Sequence, residues 1–235
     1  PIKLMLASPE ETATGVWERM HSGPEAADGE TGAVWLEDKY DGIRCQLHKV
    51  GQRVSLFSRD LKDVTATFPE LADAIRRMPG DFILDGEIVA MRGDDVLPFA
   101  GLQRRLGRRE ADLFMREEVP IQFVAFDLLW LNQDTLLRKP LRDRRQALEG
   151  LASMAPCLRF ARITSAQSVE EIETAFNAAR SRNNEGLMIK NPNSQYTPGR
   201  RGLAWPKLKK AYATLDCVVV GAEYGHGRRN KVLSD

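Results

Sequence analysis

The amino-acid sequence predicts an α+β fold in which most strands pair antiparallel. Apolar and polar residues alternate over 43–48 and again over 54–57, on either side of a turn at Gly51. This period of two is typical of a half-buried β-hairpin. Segments with strand-like and helix-like patterns also follow one another irregularly, whereas a doubly wound parallel sheet would show regular alternation of strands and helices. We therefore expect antiparallel sheets flanked by helices.

The bulk composition is that of an ordinary globular protein of one large domain or two small ones. Of its 235 residues, 43% are hydrophobic, and the formal net charge is +1. No apolar run is long enough to span a bilayer, so we expect no membrane association. The three cysteines, Cys45, Cys157 and Cys217, are scattered and form neither a metal-ligand spacing nor a disulfide framework. This cysteine pattern predicts that the protein works in a reducing compartment. Cys45 is interpreted as a core residue.

The first half of the chain begins with a predicted helix over 8–20, with Ser8 as its N-cap and Pro9 at its first position. A loop rich in Gly, Pro and acidic residues follows over 21–32. Beyond it the patterns predict, in chain order, strands over 33–40, 43–48 and 54–57, a helix over 68–78 and a strand over 82–91 that Asp85-Gly86-Glu87 interrupts.

The second half is predicted as a strand over 121–131, a helix over 141–152, a helix that begins at the capping box Ser168–Glu171, and strands over 186–190 and 205–210. Residues 217–224 read as one more strand, after which the chain stops. Because a single strand does not make a domain, we divide the chain into residues 1–214 and the start of a second domain over 215–235.

Charged residues interrupt apolar strands at five places, and burying a charge is costly unless it has a role. These residues are Glu37 with Lys39, Asp85 with Glu87, Asp127, Glu185 with Lys190, and Lys207 with Lys209. We expect the strands to converge on one polar pocket, against the alternative of five separate structural ion pairs. Lysines suit phosphates and carboxylates suit Mg²⁺, so the pocket is predicted to bind a nucleotide. Neither a GxxxxGK[ST] loop nor a GxGxxG fingerprint is present.

The segment Lys39-Tyr40-Asp41-Gly42-Ile43-Arg44 resembles the KxDGxR signature of the covalent nucleotidyltransferases, which comprise DNA ligases, RNA ligases and mRNA capping enzymes. Further elements resemble those of the family in the same order: Ser58-Arg59-Asp60, Asp85-Gly86-Glu87, Phe126–Leu129, Glu185–Lys190 and Lys207-Leu208-Lys209. The last three are most similar to ATP-dependent DNA ligases. The resemblance implies two mostly antiparallel sheets flanked by helices, with a nucleotide groove between them, as in the ATP-grasp-like catalytic core of those ligases.

The resemblance also implies roles for individual residues. Lys39 would form a covalent bond to AMP, taken from ATP. The expected ATP and AMP contacts are Glu37 at the adenine edge, Phe126 on the purine face, Arg44 and Glu87 near the ribose, Lys207 and Lys209 at the α-phosphate, and Met188, Lys190 and Arg59. Glu185 and Glu87 would hold Mg²⁺ or Mn²⁺. Arg59 would contact DNA. Arg104 and Arg105 are predicted to contact DNA for a different reason, because they belong to a cluster of basic residues over 104–109. Taken alone, Phe126 could be plain core, and Trp205 could anchor a strand rather than touch the nucleotide.

The expected reaction is the sealing of nicked double-stranded DNA in repair, replication or recombination, by a monomer. The location would be cytoplasmic and nucleoid-associated in a bacterium or archaeon, or nuclear in a eukaryote. Residues 215–235 would begin an OB-fold domain, and an N-terminal DNA-binding domain would be missing, so we expect slow self-adenylation and poor sealing. The alternatives are an RNA ligase or a GTP-using capping-type enzyme, and a non-catalytic nucleic-acid-binding module.

Overall fold

The computed structural model describes residues 1–22, 32–106, 113–151, 155–209, 221, 223–224 and 233–234. Its elements in chain order are β1 (Leu6–Glu10), α1 (Ala13–Met20), β2 (Val34–Lys39), β3 (Ile43–Val50), β4 (Arg53–Ser58), a 3₁₀ turn (Thr65–Thr67), α2 (Pro69–Arg76), β5 (Phe82–Arg92), β6 (Asp95–Val96), α3 (Phe99–Leu106), α4 (Leu113–Glu118), β7 (Ile121–Leu131), β8 (Asp134–Thr135), α5 (Leu141–Glu149), β9 (Leu158–Phe160), β10 (Ile163–Ala166), α6 (Val169–Ser181), β11 (Gly186–Lys190), β12 (Arg201–Lys209), β13 (Glu223–Tyr224) and β14 (Leu233–Ser234).

A five-stranded sheet has the order β1-β12-β11-β2-β10, in which β1 and β12 run parallel and the other neighbours antiparallel. Helices α1 and α6 cover one of its faces and bury residues such as Val16, Leu36 and Ile172 in a common core. Since side chains alternate along a strand, Glu37 and Lys39 of β2 point to the opposite face. The sheet is therefore apolar under its helices and polar on its other side.

A seven-stranded sheet follows the path β4-β3-β5-β7-β8, with β6 added to β5 and β9 to β7. The predicted hairpin is confirmed as β3 and β4. Strand β5 is continuous through Asp85-Gly86-Glu87 and is not interrupted there, because it pairs with β3 on one side and β7 on the other. Gly86 permits this packing, since a Cβ there would lie 2.5 Å from a ring carbon of Phe123. The predicted α+β fold with two mostly antiparallel sheets is thus confirmed.

The first predicted helix is wrong in its first half. Residues 6–10 form β1, where Ser8 Oγ donates to the Gly202 carbonyl at 2.9 Å instead of capping a helix. Helix α1 begins at Ala13, and its N-cap is Thr12, whose side chain accepts a hydrogen bond from Gly15 N at 3.0 Å. Parallel pairing with β12 supplies backbone partners that a helix start would have left unmet. Pro9 is tolerated because β1 lies at the edge of its sheet.

The other predicted elements are confirmed within a few residues wherever the structure describes them. Ser168 caps α6 by accepting from Glu171 N, but the Glu171 carboxylate accepts from Gln167 N rather than from Ser168 N. Most of the predicted loop over 21–32 and most of the predicted strand over 217–224 lie outside the described residues, as does the proposed boundary at 215. Cys45 is buried, as predicted. Among the described helices, none is long and apolar enough to cross a membrane.

A separate apolar cluster joins the two sheets. It combines Leu129 of β7 and Leu141 of α5 with Met5, Tyr196 and Trp205 from the other sheet and its loops. The loop after β11 reaches this cluster through backbone hydrogen bonds from Leu141 N to Ser194 O and from Tyr196 N to Leu137 O. These contacts fix the two polar sheet faces against each other beside an open groove.

Candidate active site

A groove of about 180 Å³ lies between the two sheets. Its lining includes nine of the residues predicted from the sequence: Glu37, Lys39, Arg44, Arg59, Glu87, Phe126, Met188, Lys190 and Lys207. They come from both sheets and from the turn after β4. The predicted convergence of polar residues from separate strands on one pocket is therefore confirmed for these positions, while what each of them binds stays a prediction.

Lys39 is the last residue of β2, where the strand ends at the groove. Its Nζ forms an ion pair with Glu185 Oε2, and both side chains are partly exposed. The Lys39 carbonyl also accepts a hydrogen bond from Glu185 N at 2.9 Å, so backbone and side chain together hold the two residues in register. Burial raises the pKa of Asp41, and the neighbouring Glu185 carboxylate raises it further. The amine therefore lies among carboxylates at the edge of the groove.

Glu37 and Lys190 form a buried ion pair, with Glu37 Oε2 and Lys190 Nζ 2.6 Å apart and side chains 3% and 1% exposed. Burial raises the pKa of Glu37 and lowers that of Lys190, while the partner's charge opposes each shift. Lys190 Nζ lies 4.5 Å from the Phe126 ring centroid and 4.3 Å from that of Trp205, where both aromatic rings attract a cation. Glu37 Oε1 has no hydrogen-bond partner among the described residues. A buried acceptor without a donor is unfavourable, so a hydrogen-bond donor brought to this oxygen would be favoured.

Arg44 lies over the Phe126 ring, with its guanidinium carbon 5.2 Å from the ring centroid. Its orientation is set by Asp85, a fully buried carboxylate to which it donates from Nε at 3.1 Å and from Nη2 at 2.8 Å. Glu87 lies next to Arg44 across the β3–β5 pairing. Burial raises the pKa of Glu87 to about 8, although the charges of Arg44 and Lys39 oppose that rise.

Phe126 and Trp205, two of the aromatic residues that line the groove, have separate roles. Phe126 is half-buried and lines the groove, so it is not plain core. Trp205 is buried and donates from Nε1 to Ser194 Oγ at 3.1 Å, which anchors β12 to the loop after β11. Trp205 also lines the groove and meets Phe126 edge to face, with ring centroids 6.5 Å apart. It therefore anchors a strand and also lines the groove, while its contact with a nucleotide stays a prediction.

The two lysines at the end of β12 differ. Lys207 lines the groove, and its pKa is lowered by burial and then by the charges of Lys39, Lys209 and Arg201. Lys209, by contrast, is not among the lining residues. Its predicted contact with an α-phosphate remains a prediction.

Two of the residues predicted from charge patterns prove to be structural. Asp127 lies outside the groove in a fully buried ion pair with Arg144, with hydrogen bonds of 2.7 and 2.8 Å. The prediction that Arg105 contacts DNA is wrong, because its side chain is 1% exposed, forms an ion pair with Glu70 and donates to Val119 O. Arg104 is exposed and pairs with Glu118 at 3.1 Å, so its contact with DNA stays a prediction.

Three polar residues that line the groove had no role predicted from the sequence: Asp38, Tyr40 and Arg201. Burial, with the nearby charges of Asp38 and Glu37, raises the pKa of Tyr40 to about 12. Arg201 is the first residue of β12. Leu4, Leu6 and Ala7 from the N-terminal segment also line the groove, and only the long-range pairing of β1 with β12 brings them there.

The predicted metal ligands do not form a ready-made cage. Among the described residues, no group of three or more His, Cys, Asp or Glu side chains is placed to hold an ion. Glu185 and Glu87 are nevertheless close enough for the charge of Glu185 to raise the pKa of Glu87. Mg²⁺ commonly binds through one or two carboxylates together with substrate phosphates. The donor set therefore fits an ion that enters with a phosphorylated ligand.

The chain matches known proteins along most of its length. Residues 5–209 match the model of the ATP dependent DNA ligase domain. A probable DNA ligase of Opitutus terrae is 47% identical over all of this chain and 28% of that protein. The DNA ligase of Archaeoglobus fulgidus is 36% identical over all of this chain and 40% of its own length. The chain thus spans less than half the length of these relatives.

Solved structures agree with this match. A mycobacterial DNA ligase D, described as complexed with ATP and MES, superposes with a TM-score of 0.67 at 29% identity, over 88% of this chain and 60% of its own. A Chlorella virus DNA ligase-adenylate shares the fold, with a TM-score of 0.60 at 19% identity over 88% and 67% of the two chains. Together with the family model, these likenesses show that the chain belongs to the family of ATP-dependent DNA ligase domains.

Proposed function

We propose that this chain is the adenylation core of an ATP-dependent DNA ligase and that Lys39 carries AMP covalently. The observation that carries the proposal is the position of Lys39 Nζ, beside Glu185 and at the edge of a groove that also holds Glu37, Phe126 and Lys207. That groove combines an amine nucleophile, an aromatic face, a buried acceptor and cations. In a purine nucleotide, the α-phosphorus would meet the amine, the base would meet the aromatic face and the acceptor, and the phosphates would meet the cations.

In the proposed step, Lys39 Nζ must be neutral to attack, because a protonated amine has no free electron pair. Glu185, its ion-pair partner, is placed to accept the proton. A bond forms between Nζ and the α-phosphorus of ATP, and the bond from that phosphorus to the bridging oxygen breaks. Pyrophosphate leaves with the electron pair. Lys207, whose pKa is lowered by burial and then by the neighbouring cations, stabilises the charge that develops on the phosphate oxygens.

Nucleotide selection follows from the Glu37–Lys190 pair. Lys190 occupies Glu37 Oε2 and leaves the buried Oε1 free, so a ligand that donates a hydrogen bond is favoured there. Adenine presents an exocyclic amino group at its edge, whereas guanine presents a carbonyl oxygen at the same place, which a carboxylate oxygen repels. Phe126 would stack on the base. The match to a mycobacterial ligase whose structure contains ATP supports the same choice of nucleotide.

Glu185 and Glu87 would hold a divalent cation that arrives with the triphosphate. When bound, such an ion supplies charge neutralisation at the phosphates and favours departure of pyrophosphate. Mg²⁺ or Mn²⁺ suits carboxylate and phosphate oxygens.

In the later steps, AMP passes from Lys39 to the 5′-phosphate of nicked double-stranded DNA, and the 3′-hydroxyl then displaces AMP and closes the strand. Arg59, which lines the groove, and the exposed Arg104 would contact the DNA backbone. Residues 1–214 would form the adenylation domain and 215–235 the start of an OB-fold domain. The protein would act as a monomer, in the compartment that holds the DNA.

The test is incubation of the purified chain with ATP labelled at the α-phosphorus. We expect label on the protein, lost in Lys39→Ala and kept in the matched control Lys139→Ala, whose exposed lysine lies outside the groove. Label that survives Lys39→Ala would contradict the covalent role. No label would support a non-catalytic module, and label from GTP in preference to ATP would support a capping-type enzyme. Joining of a nick in duplex DNA but not in duplex RNA, by chain that has been labelled first, separates a DNA ligase from an RNA ligase.

A further inference from the structure

Tyr196 is a buried tyrosine that does not line the groove but is connected to it by hydrogen bonds. Its side chain is 3% exposed. The hydroxyl donates to Asp85 Oδ2 at 2.7 Å and accepts from Met5 N at 2.9 Å. It thereby joins the loop after β11, the N-terminal segment and the central strand β5.

Asp85 transmits this contact to the groove. Its carboxylate is fully buried and accepts from Arg44 Nε at Oδ1 and from Arg44 Nη2 at Oδ2. The oxygen Oδ2 is therefore shared between Arg44 and Tyr196. With three donors on two oxygens, the carboxylate is held in one rotational position, which in turn fixes the plane of the guanidinium.

Arg44 presents the remaining donors to the groove. A guanidinium has five N–H groups in a rigid fork, and Asp85 engages two of them. Among the residues that the structure describes, Asp85 is the acceptor for this side chain, which lies over Phe126 in the groove lining. The other N–H groups are free for acceptor oxygens of a bound nucleotide.

We propose that Tyr196 is a positioning residue for nucleotide binding, which acts through Asp85 to hold the Arg44 guanidinium against the nucleotide. This inference rests on the proposed function. Without the hydroxyl, Asp85 Oδ2 loses a donor and the Met5 N–H loses its acceptor. The carboxylate is then free to rotate toward other donors, and Arg44 follows it. The ring is not the agent, because its edge-to-face contact with Trp205, at 6.0 Å between centroids, survives loss of the oxygen.

The experiment compares Tyr196→Phe with the unsubstituted chain in single-turnover labelling of Lys39 over a range of ATP concentrations. We expect the ATP concentration for half-maximal rate to rise about three- to ten-fold, the effect of loosening one charge-assisted contact, while the rate at saturating ATP changes less than about two-fold. Tyr224→Phe is the matched control, since that side chain is 68% exposed, and it should change neither quantity. An unchanged half-maximal concentration, or a loss confined to the saturated rate, would overturn the proposal.

A double-mutant cycle with Arg44→Lys tests the route of the effect. Lysine keeps a positive charge against buried Asp85 but cannot form the planar fork. If Tyr196 acts through Arg44, Tyr196→Phe should raise the ATP concentration for half-maximal rate less than about two-fold in the Arg44→Lys chain. If the two residues act independently, the increases caused by the two substitutions should multiply. The same four chains are titrated with ATP in a calorimeter, so that the inference is tested even without the covalent step. Failure of the unsubstituted chain to take label rejects the proposed function, while labelling without coupling rejects only the role of Tyr196.

Discussion

Glu37 and Lys190 form a buried ion pair in which one carboxylate oxygen is left free for the ligand. Removing one partner of such a pair leaves an uncompensated charge, whereas replacing both by apolar residues is often neutral for stability. We therefore expect Glu37→Gln to lower the free energy of unfolding by about 2–4 kcal/mol and to reduce labelling by ATP at least about ten-fold. Urea unfolding and α-labelled ATP measure the two effects.

The double variant Glu37→Leu/Lys190→Met separates stability from recognition. It should recover most of the lost unfolding free energy, because no buried charge remains unpaired, but it should stay poorly labelled, because the acceptor for the base is gone. If the double variant regained both stability and labelling, Glu37 would have no role in binding ATP.

Glu87 gives a pH-dependent prediction. Burial raises its pKa from 4.5 to about 8. The folded state thus holds a proton that the unfolded state releases near pH 4.5, so the stability from this group is full at pH values below 4.5 and is lost as the pH rises toward 8. Urea unfolding at pH 5 and pH 8 measures how much the free energy of unfolding falls between these two pH values. This fall should be smaller in Glu87→Gln than in the unsubstituted chain, by about 2 kcal/mol after allowance for solvent screening. Equal losses in both chains would place the pKa of Glu87 near its ordinary value.

Single residues also show what the sequence could and could not predict. Lysines and glutamates inside apolar strands identified five residues of the groove lining, because a charge in such a place needs a partner or a function. Asp127 carries the same signal but has a partner, Arg144, 17 positions further along the chain. Tyr196 gave no signal, because its hydroxyl contacts Asp85 across 111 positions. Pattern alone therefore finds buried charges but does not say which of them are already neutralised.

The turn between α6 and β11 carries Glu185, and its geometry is set by contacts with β2. Asp38 accepts from Arg182 Nε and Nη2 at 3.1 and 2.7 Å and from Asn184 Nδ2 at 3.1 Å. Glu185 N then bonds the Lys39 carbonyl, which completes the connection from helix to strand. These contacts place the Glu185 carboxylate beside the Lys39 amine.

We expect Arg182→Ala to loosen this turn while changing stability by less than about 1 kcal/mol, since Arg182 is 51% exposed. The Mg²⁺ concentration for half-maximal labelling of Lys39 should rise several-fold, because Glu185 is no longer held in place. Competitive reaction of Lys39 with an amine reagent, followed by mass spectrometry, should also show a changed reactivity without ATP. Arg76→Ala, which removes an exposed ion pair on α2, is the matched control. Identical Mg²⁺ curves for Arg182→Ala and the unsubstituted chain would contradict this role of the turn.

At the level of elements, local signals predicted α2, α5, α6 and the β3–β4 hairpin, but they missed α3, α4, β9 and β10 and failed at the N-terminus. Ser8 and Pro9 resemble a helix start, and Thr12 offers an equally good cap four residues later. The choice between them depends on β12, which lies nearly two hundred positions away and pairs with residues 6–10. No local pattern contains that information.

The groove is a property of the whole molecule, because it exists only where the two sheets are held together. The apolar cluster around Trp205 and the loop after β11 supply that contact. The two-sheet arrangement was implied only by the family resemblance, since antiparallel periodicity does not say how many sheets form or how they face each other. Residues at the joint such as Leu129 and Leu141 carry ordinary core signals.

The buried pair of Asp127 and Arg144 holds this joint from the side of the seven-stranded sheet. Both side chains are fully buried, and Arg144 also donates to the carbonyl oxygens of Lys139 and Ser194, so one guanidinium connects β7, the segment before α5 and the loop after β11. Arg144→Ala would leave the Asp127 charge uncompensated and should reduce the free energy of unfolding by about 3–5 kcal/mol.

Unfolding in urea, followed by far-ultraviolet circular dichroism and by tryptophan fluorescence, measures the effect. Because the cluster around Trp205 contains residues of both sheets, the two probes should give one midpoint in the unsubstituted chain. In Arg144→Ala the fluorescence midpoint should fall first, as the joint opens before the sheets unfold, and labelling by ATP should fall with it. Arg76→Ala, which removes an exposed ion pair on α2 away from the joint, should leave both midpoints in place. A loss below about 1 kcal/mol in Arg144→Ala would mean that apolar packing alone holds the sheets together, and the groove would then not depend on this ion pair.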